Sequence, residues 1–438
     1  MPSWIAAAAR PLARGLIWLA AFAAFGAAAA MAEDAAPAVL DSGDTAWMIV
    51  ATALVLLMSI PGVALFYGGM VQKKNVLSIS MQTFVITCVV TVLWFVIGYS
   101  LVFTPGGAIY GGTEKAFLLG VDLDALTGTV PETVFVCFQL TFAVITVALI
   151  TGAVAERMKF SALIIFSAVW LLAVYVPIAH MVWGGGLLGS AGVLDFAGGT
   201  VVHINSGVAG LVAAVIVGRR VGFGREPMPP HNLALSLIGA SLLWVGWFGF
   251  NAGSAVGSNA LAGLAMLVTQ IAAAMGALAW MAAEWARQGK PSVLGALSGA
   301  VAGLVAITPA SGFVTPAAAL AIGALGGGAS YLATSHLKRR LGYDDSLDVF
   351  GVHGIGGIVG ALLTGVFATA AYGGVSGAVD GNGAQVLTQL YGLAVTAAWS
   401  AAVSAAILIA LKRTIGLRVS EPGEREGLDI HAHGESVL

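Results

Sequence analysis

The chain carries the run Asp195-Phe-Ala-Gly-Gly-Thr-Val-Val-His203-Ile-Asn and, later, the related run Asp348-Val-Phe-Gly-Val-His353-Gly. In each run an acidic residue stands shortly before a histidine, at the start of a glycine-rich and otherwise apolar segment. An ionisable side chain inside a long apolar segment is costly in a membrane, and such residues usually have a function. Two related runs in the two halves of one chain also indicate an internal repeat.

The composition of the chain predicts a membrane protein. Of its 438 residues, 59% are hydrophobic and only 9% are charged, whereas a soluble domain has about 25% charged residues. This is too little charge to cover a water-soluble surface, so much of the surface is expected to face lipid. The formal net charge of −2 gives no indication of nucleic-acid binding. Cys88 and Cys137 lie in uncharged stretches and are expected to be small core residues without a disulfide bond.

The N-terminus has the pattern of a secretory signal peptide over residues 1–32. Two arginines precede an apolar run, and Ala30-Met-Ala32 offers a small-x-small cleavage site. Cleavage before Glu33 would leave residues 33–43 as a periplasmic N-terminal segment. An uncleaved first helix is the alternative, although the apolar run is short for a membrane span.

Charged residues divide the rest of the chain into charge-poor runs that predict eleven membrane-spanning helices. Each run is long enough for one or two helices of about 20 residues, the length that crosses a bilayer. The runs from Glu226 to Glu284 and from Lys290 to Lys338 each hold two helices, with breaks at 249–254 and 308–312. The predicted transmembrane domain comprises residues 44–413, with pseudo-repeats at about 44–220 and 228–370 and a last helix at about 386–412.

The basic residues predict the orientation of these helices, because cytoplasmic loops are enriched in lysine and arginine. If the first span begins outside, Lys115 is the only basic residue after residue 32 that falls outside the cell. The sequence therefore predicts an all-α integral protein of the cell inner membrane, with its N-terminus outside and its C-terminus in the cytoplasm. An inverted repeat of five plus five helices, followed by one more helix, fits the count, since an odd-numbered repeat inverts its second copy.

His203 and His353 are the histidines that lie deepest in the predicted spans. A neutral imidazole can donate or accept a hydrogen bond and can pass a proton without a permanent charge. Two imidazoles could therefore form a line of polar atoms in an apolar tube. The alternative for either residue alone is a histidine satisfied by a backbone carbonyl between helices. A zinc site would need a third protein ligand, which the pattern does not offer, so neither a metal nor a cofactor is expected.

Aromatic residues mark the predicted outer ends of several helices. Trp183 follows the fourth span, and Phe250 and Ser254 stand where the sixth span ends. An indole face beside a hydroxyl suits a small cation, whereas the plainer interpretation of such aromatics is an interfacial belt. Phe138 and Phe142 are four residues apart, on one face of a predicted helix, and could plug a pore or simply pack.

At these residues the sequence resembles the ammonium transporter (Amt/MEP/Rh) family, and within it the bacterial Amt branch. The likeness covers about residues 44–435. Besides the two histidine runs it includes Ile60-Pro-Gly-Val-Ala-Leu-Phe-Tyr-Gly-Gly69 and Gly246-Trp-Phe-Gly-Phe-Asn-Ala-Gly-Ser254. The resemblance implies a homotrimer of eleven-helix subunits, each with its own pore for ammonium or ammonia.

The resemblance also implies an outer ammonium-binding site. It assigns Phe142, Trp183 and Ser254 to that site, and it implies that Asp195 holds the site together. From the residues alone, we interpret Asp195 as a helix N-cap, and both roles can hold at once. The pair of Trp183 and Ser254 is typical of the Amt branch and is lacking in the Rh branch.

Deeper in the pore, the resemblance implies a gate and a polar pair. Phe142 and Phe250 would form a phenylalanine gate, and His203 and His353 would be the twin histidines. Ammonium would bind outside, lose its proton and cross as ammonia. The residues leave open whether a net charge also crosses.

Residues 414–438 look like the family's cytoplasmic regulatory segment, and the partner that this implies is a PII-type signal protein. Two functions of other classes compete with transport. One is an ammonium sensor that signals through the tail to a PII-type protein. The other is a membrane enzyme that uses the histidines, but no nucleophile or metal-ligand set stands near them. The expected partners are ammonium or ammonia, the lipid bilayer and other copies of the chain, and not nucleic acid.

Overall fold

The computed structural model describes residues 39–437. The predicted signal peptide and most of the predicted periplasmic segment lie outside the described residues. Within residues 39–437, ten helices are long and apolar enough to cross a membrane: α1 (Ser42–Met70), α2 (Lys73–Phe103), α3 (Glu132–Val154), α4 (Phe160–Ser190), α5 (Gly199–Val217), α6 (Leu233–Gly253), α7 (Ala260–Gln288), α9 (Pro316–Leu341), α10 (Phe350–Phe367) and α11 (Ala384–Thr414). The apolar helix α8 (Val293–Ile307) is shorter. The all-helical fold is confirmed, whereas the count of eleven crossings and their orientation stay predictions.

Short elements connect and follow the long helices. A two-stranded antiparallel hairpin, β1 (Leu126–Thr127) and β2 (Val130–Pro131), precedes α3. Other connections contain the short helical turns Ala116–Leu118, Ala370–Gly373 and Ala378–Asp380. The C-terminal tail forms two helices of six residues each, α12 (Glu421–Glu426) and α13 (Leu428–His433).

The helices α5 and α10 cross closely because glycine lies at their contact. A Cβ placed on Gly207 of α5 would overlap the backbone nitrogen and Cα of Gly354 in α10. Small residues let helix backbones approach one another in membrane proteins, where close packing drives helix association. Gly354 follows His353 directly, and Gly207 lies one helical turn after His203. The crossing therefore brings the two histidine-bearing segments together.

Both histidine-bearing helices begin with a π-helical segment. These segments are Gly199–Ile204 in α5 and Phe350–Gly354 in α10. Such π turns are rare, and they occur frequently at functional sites because they interrupt the regular direction of the side chains. His203 and His353 therefore lie where each helix is irregular.

The acid at the start of α10 that corresponds to Asp195 is Asp345. It stands eight residues before His353, the same spacing at which Asp195 precedes His203. Its carboxylate accepts a hydrogen bond of 2.8 Å from the first backbone N–H of α10. Asp348, which the sequence pattern pairs with Asp195, has a positive φ of 60° and forms an ion pair of 2.7 Å with a lysine of α9. The sequence pattern singled out Asp348 because it is the acid closer to the histidine.

The two cysteines do not lie where the sequence predicts them. Cys88 on α2 and Cys137 on α3 are free, and both are exposed on the surface of the chain. Large apolar side chains are exposed near Cys88 on α2 as well, among them Phe84 and Val92. The prediction that the cysteines are core residues is wrong, because the lipid-facing side of a membrane helix is as apolar as its buried side.

Candidate functional site

Aromatic and apolar side chains line an open cavity at one end of the helix bundle. Following the predicted orientation, we call this end, which carries Trp183 and Ser254, the outer end, and the end that carries the C-terminal tail the inner end. The cavity has a volume of about 330 Å³. It is lined by Phe103, Phe135, Gln139, Phe142, Val182, Trp183, Phe196, Ser254 and Val256.

The two predicted polar groups of this cavity are held by the backbone. The indole Nε1–H of Trp183 donates to the carbonyl oxygen of Asp195 at 2.9 Å, and its ring stands at 89° to that of Phe142. The Ser254 hydroxyl donates to the carbonyl oxygen of Phe250 at 2.9 Å. Because both polar hydrogens are used, the indole face and the lone pairs of the hydroxyl oxygen remain for a ligand. These are groups that attract a cation.

Asp195 connects this cavity to the start of α5. Its carboxylate accepts hydrogen bonds of 2.6 to 3.0 Å from four successive backbone N–H groups at the start of that helix, those of residues 198–201. Burial raises the pKa of Asp195 above its ordinary value, although these four hydrogen bonds favour its ionised form. The side chain of Asp195 therefore caps the start of α5, as the sequence predicts, although the residue at the N-cap position is Gly198. Because its carbonyl also holds Trp183, Asp195 joins the histidine-bearing helix to the outer aromatic residues.

A side chain of α11 clamps the same loop. The amide of Gln389 accepts a hydrogen bond from the backbone N–H of Leu194 at 2.7 Å and donates one to the carbonyl of the same residue at 2.7 Å. Gln385, one turn earlier, donates to the carbonyl of Gly192 at 3.0 Å. The loop that leads to Asp195 is therefore fixed by α11, and sequence reasoning did not single out either glutamine.

Phe142 and Phe250 stack between the outer cavity and the histidines. Their ring centroids are 4.2 Å apart with an interplanar angle of 20°, and the two residues are 1% and 0% exposed. Aromatic pairs usually have centroids about 4.5–7 Å apart, so no space for a molecule remains between these rings. Phe138 packs edge-on against Phe142 from the side. The two rings therefore leave no open space between the outer cavity and the histidines in this structure.

His203 and His353 meet directly, beyond the stacked phenylalanines. Their Nδ1 atoms are 3.3 Å apart, and their rings lie 5.3 Å apart with an angle of 20° between the planes. A hydrogen bond between two neutral imidazoles requires one Nδ1 to carry a proton and the other to accept it. The Nε2 atom of His203 is buried and has no hydrogen-bond partner among the described residues. The pair therefore offers an unused polar atom in an apolar interior.

A narrow cavity of about 10 Å³ lies beside the histidine pair. This volume is close to the smallest that holds one water molecule. The Trp247 ring stacks on that of His203, with ring centroids 5.3 Å apart and an interplanar angle of 21°. The indole N–H of Trp247 donates to the hydroxyl oxygen of Thr308 at 2.9 Å. Most of the lining is hydrocarbon: Val63, Phe66, Tyr67, Ile145, Leu149, His203, Leu243, Trp247, Val301 and His353. Such a cavity excludes a hydrated ion and leaves the imidazoles as its main polar surface.

A buried network of charges ties the inner ends of α5 and α10 together. Arg157, which is 0% exposed, donates to the carbonyls of Gly218 at 2.7 Å and Asp344 at 2.5 Å. Arg220 forms ion pairs with Glu156 at 2.6 Å and Asp344 at 2.8 Å. Burial opposes ionisation of Asp344, but the hydrogen bonds and charge of Arg220 outweigh it and hold the pKa of Asp344 below its ordinary value. In the sequence these charges mark only the ends of apolar runs, and nothing there indicates that they pair.

The acid at the start of α10 is less well satisfied than Asp195. One carboxylate oxygen of Asp345 is buried without a hydrogen-bond partner in the part of the chain that the structure describes. Burial raises the pKa of Asp345 to about 6, from an ordinary value of 3.8. The two helix-capping acids therefore differ, since four hydrogen bonds hold the outer one and the inner one keeps a free oxygen.

The C-terminal tail docks on the inner end of the bundle. The carboxylate of Asp429 accepts hydrogen bonds from the backbone N–H groups of Leu77 and Ser78, at 3.0 and 2.7 Å. Glu424 accepts one from the backbone N–H of Val221 at 2.5 Å. These contacts join the tail to the start of α2 and to the segment after α5.

Comparison with known proteins identifies the family. The family model described as "Ammonium Transporter Family" matches residues 46–438. The chain belongs to the ammonium transporter family. It is 50% identical to an ammonium transporter of Aquifex aeolicus over 407 residues, which are 92% of this chain and 95% of the relative. It is 47% identical to an ammonium transporter of Bacillus subtilis over 402 residues, which are 91% of this chain and 99% of the relative.

Solved structures of the ammonium transporter family have the same fold. The crystal structure of Candida albicans Mep2 matches with a TM-score of 0.82 and 37% identity, covering 87% of each chain. A structure titled "Sensor Amt Protein" matches with a TM-score of 0.84 and 31% identity, covering 90% of this chain and 98% of that one. These matches confirm the resemblance seen in the sequence.

The structure brings the residues predicted from the family resemblance into one line. Phe142, Trp183 and Ser254 line the outer cavity. Phe142 also stacks on Phe250 at the inner side of this cavity. His203 and His353 meet beyond that stack. Asp195 stands beside the first group. The role of each residue in transport stays a prediction.

Proposed function

We propose that this member of the ammonium transporter family moves ammonium across a membrane by recruiting the cation in the outer cavity, removing its proton and passing ammonia along the pair of histidines. The observation that carries the proposal is the pair itself, because His203 and His353 lie 3.3 Å apart in an apolar interior. The outer cavity and the stacked phenylalanines stand in front of it, in the order that such a path needs.

The energetics favour the crossing of ammonia rather than of the bare ion. Burying an unpaired ion in a low-dielectric interior costs on the order of 20 kcal/mol in the idealised limit. A cation–π contact and one hydrogen bond to a hydroxyl together stabilise a bound cation by about 2 to 4 kcal/mol. The outer site can therefore collect the cation but cannot carry it through the narrow cavity, so the proton leaves before the nitrogen passes. Neutral conduction and net charge movement both begin with this step.

The proposal includes the arrangement of the protein in the membrane. Each subunit of a homotrimer would span the inner membrane of a bacterial cell eleven times, with its N-terminus outside and its tail in the cytoplasm. The ten long helices together with α8 supply eleven apolar segments among the described residues. Exposed apolar side chains such as Ile49, Leu237 and Leu267 support coverage of the helix bundle by lipid or by a neighbouring subunit.

Current recording on proteoliposomes tests this function. The purified protein is reconstituted, adsorbed on a solid-supported membrane and exposed to a pulse of ammonium, with protein-free liposomes as the control. A dye in the lumen reports ammonia entry as a rise in pH. We expect an ammonium-dependent signal in the current, in the lumenal pH or in both. If neither signal exceeds that of the protein-free liposomes, the proposal fails.

Ammonium sensing through the tail is a second candidate function. It is supported by the likeness to a structure titled "Sensor Amt Protein" and by the docking of the tail through Asp429 and Glu424. In this function, occupancy of the outer cavity would change how the tail binds a PII-type protein. A variant that binds ammonium but does not conduct, and that still controls PII binding, would separate sensing from transport.

A further inference from the structure

The outer cavity contains one polar side chain without an assigned role, that of Gln139. It lies on α3, four residues after Phe135 and three before Phe142, and side chains at this spacing share one face of a helix. All three residues line the cavity. The side-chain oxygen Oε1 of Gln139 is buried and has no hydrogen-bond partner within residues 39–437.

The amide oxygen of Gln139 is buried beside the cavity rather than exposed in it, and it lacks the partner that buried polar atoms nearly always have. Among the described residues, no hydrogen bond holds the oxygen of Gln139 in its present direction. Rotation about the last side-chain bond exchanges the oxygen and the NH2 group of a glutamine, since the preference of this torsion is weak and roughly two-fold. The amide can therefore direct its oxygen into the cavity when a donor arrives.

The other polar groups of the cavity indicate which kind of ligand it can bind. The indole N–H of Trp183 is used by the carbonyl of Asp195, so that residue offers only its ring face. The hydroxyl hydrogen of Ser254 is used by the carbonyl of Phe250, so that residue offers an acceptor. Apart from Gln139, the cavity thus presents one acceptor and ring faces, with no carboxylate among its lining residues. This combination suits a small cation that carries several N–H donors.

We propose that Gln139 is a substrate-binding residue of the outer cavity, whose amide oxygen accepts an N–H hydrogen bond from ammonium as a second acceptor beside Ser254. The inference rests on the proposed function, because it requires ammonium to occupy this cavity. Ammonium carries four N–H donors, and a single hydroxyl can accept from one or two of them. A neutral amide adds affinity without the charge of a carboxylate, which would hold the cation and oppose its deprotonation.

Two substitutions at residue 139 test the proposal in opposite directions. Gln139→Leu keeps the approximate size and removes the acceptor, so we expect the half-saturating ammonium concentration to rise about tenfold, the effect of one hydrogen bond to a charged group. The maximal current is expected to change little. Gln139→Glu adds a negative charge, so we expect a lower half-saturating concentration and a lower maximal current, because release and deprotonation become harder.

A second glutamine provides the matched control. Gln82 on α2 is 2% exposed, its Oε1 also has no partner among the described residues, and it does not line the outer cavity. Gln82→Leu should leave the half-saturating concentration unchanged. Size-exclusion profiles and thermal unfolding of the purified variants check that each one folds, and the glutamate variant keeps the test valid if the leucine variant does not.

The outcomes separate this proposal from the proposed function. If the wild type conducts ammonium and both variants at residue 139 stay within twofold of its half-saturating concentration, Gln139 does not bind the substrate although transport stands. Equal shifts in Gln82→Leu and Gln139→Leu would also overturn the assignment, since the effect would then be one of folding. If the wild type gives no ammonium-dependent signal, both proposals fail.

Discussion

At the scale of single residues, Trp183 is fixed in a position from which its ring face can bind a cation. Its indole N–H is bonded to Asp195, and its ring stands at 89° to Phe142. A cation–π contact contributes about 0.5 to 2 kcal/mol, which corresponds to a change of roughly 2- to 30-fold in a binding constant. The indole of Trp183 should therefore set ammonium affinity more than it sets folding.

Replacing the indole tests this role. For Trp183→Leu we expect a higher half-saturating ammonium concentration and weaker inhibition by methylammonium, measured as currents on proteoliposomes. Trp399→Leu is the matched control. The indole N–H of Trp399 likewise donates to a backbone carbonyl, that of Ala173 at 3.1 Å, but Trp399 does not line the outer cavity. An unchanged concentration dependence and inhibition profile in Trp183→Leu would remove the residue from the binding site.

The histidine pair was predicted from the sequence, whereas the acid at the start of α10 was not chosen correctly from it. His203 and His353 stand out because few ionisable residues lie within apolar spans. The choice between Asp345 and Asp348 depends on the path of the loop before α10, where Asp348 adopts a positive φ and turns toward Lys338. The equal spacing of eight residues was the available signal. Gln139 was missed because a single polar residue in a membrane helix is usually a packing residue.

At the scale of secondary structure elements, the contact between α5 and α10 decides whether the two histidines meet. A Cβ on Gly207 would overlap the backbone of Gly354, so an alanine there requires one helix to move. Overpacking of this kind costs about 1–3 kcal/mol. In an open helical position the same substitution is favourable by about 0.5–1 kcal/mol, because glycine loses more conformational freedom on folding.

The destabilising and the stabilising effect of a glycine-to-alanine substitution can both be measured in this protein. We expect Gly207→Ala to lower the thermal unfolding temperature of the purified protein and to reduce ammonium transport. Gly328→Ala on α9 is the control, since a Cβ there meets no atom within 4 Å, and it should leave the unfolding temperature unchanged or raise it. Equal unfolding temperatures for the two variants would show that the close crossing is not needed for stability.

The role of α11 was not predicted, although its sequence contains a signal. Its buried polar residues recur at intervals of four or seven residues, as Gln385, Gln389, Thr396, Ser400 and Ser404. This spacing produces one polar stripe along a helix, and the stripe faces the bundle, where Gln389 holds the loop before Asp195. The charge boundaries used to count spans contain no information about side-chain direction, and the same limitation led to the wrong placement of the cysteines.

At the scale of the whole molecule, the tail is attached to the inner end through residues that do not line the pore. Asp429 binds the start of α2 and Glu424 binds the segment after α5. Removing the chain after Ser420 deletes both contacts and leaves every predicted pore residue in place, since none lies beyond His353. Regulation should therefore depend on the tail more than conduction does.

Truncation after Ser420 tests this division. We expect the truncated protein to conduct ammonium but to bind a cognate PII-type protein weakly, measured by pull-down and by transport with and without that protein. Asp429→Asn, which keeps the tail and weakens one of its contacts, should give a smaller effect in the same direction. Undiminished PII inhibition of the truncated protein would place the regulatory contact on the inner loops around Arg219 or Lys338.

Passage of ammonia along the pair of histidines is the step on which the proposed function depends. It is tested by recording ammonium and potassium pulses on proteoliposomes that contain either the wild type or the double variant His203→Ala, His353→Ala, at equal protein content and with the same oligomeric profile. The wild type should respond to ammonium and exclude potassium, and the double variant should lose the selective ammonium response. If the double variant transports ammonium at the wild-type rate and still excludes potassium, the histidines are not the path.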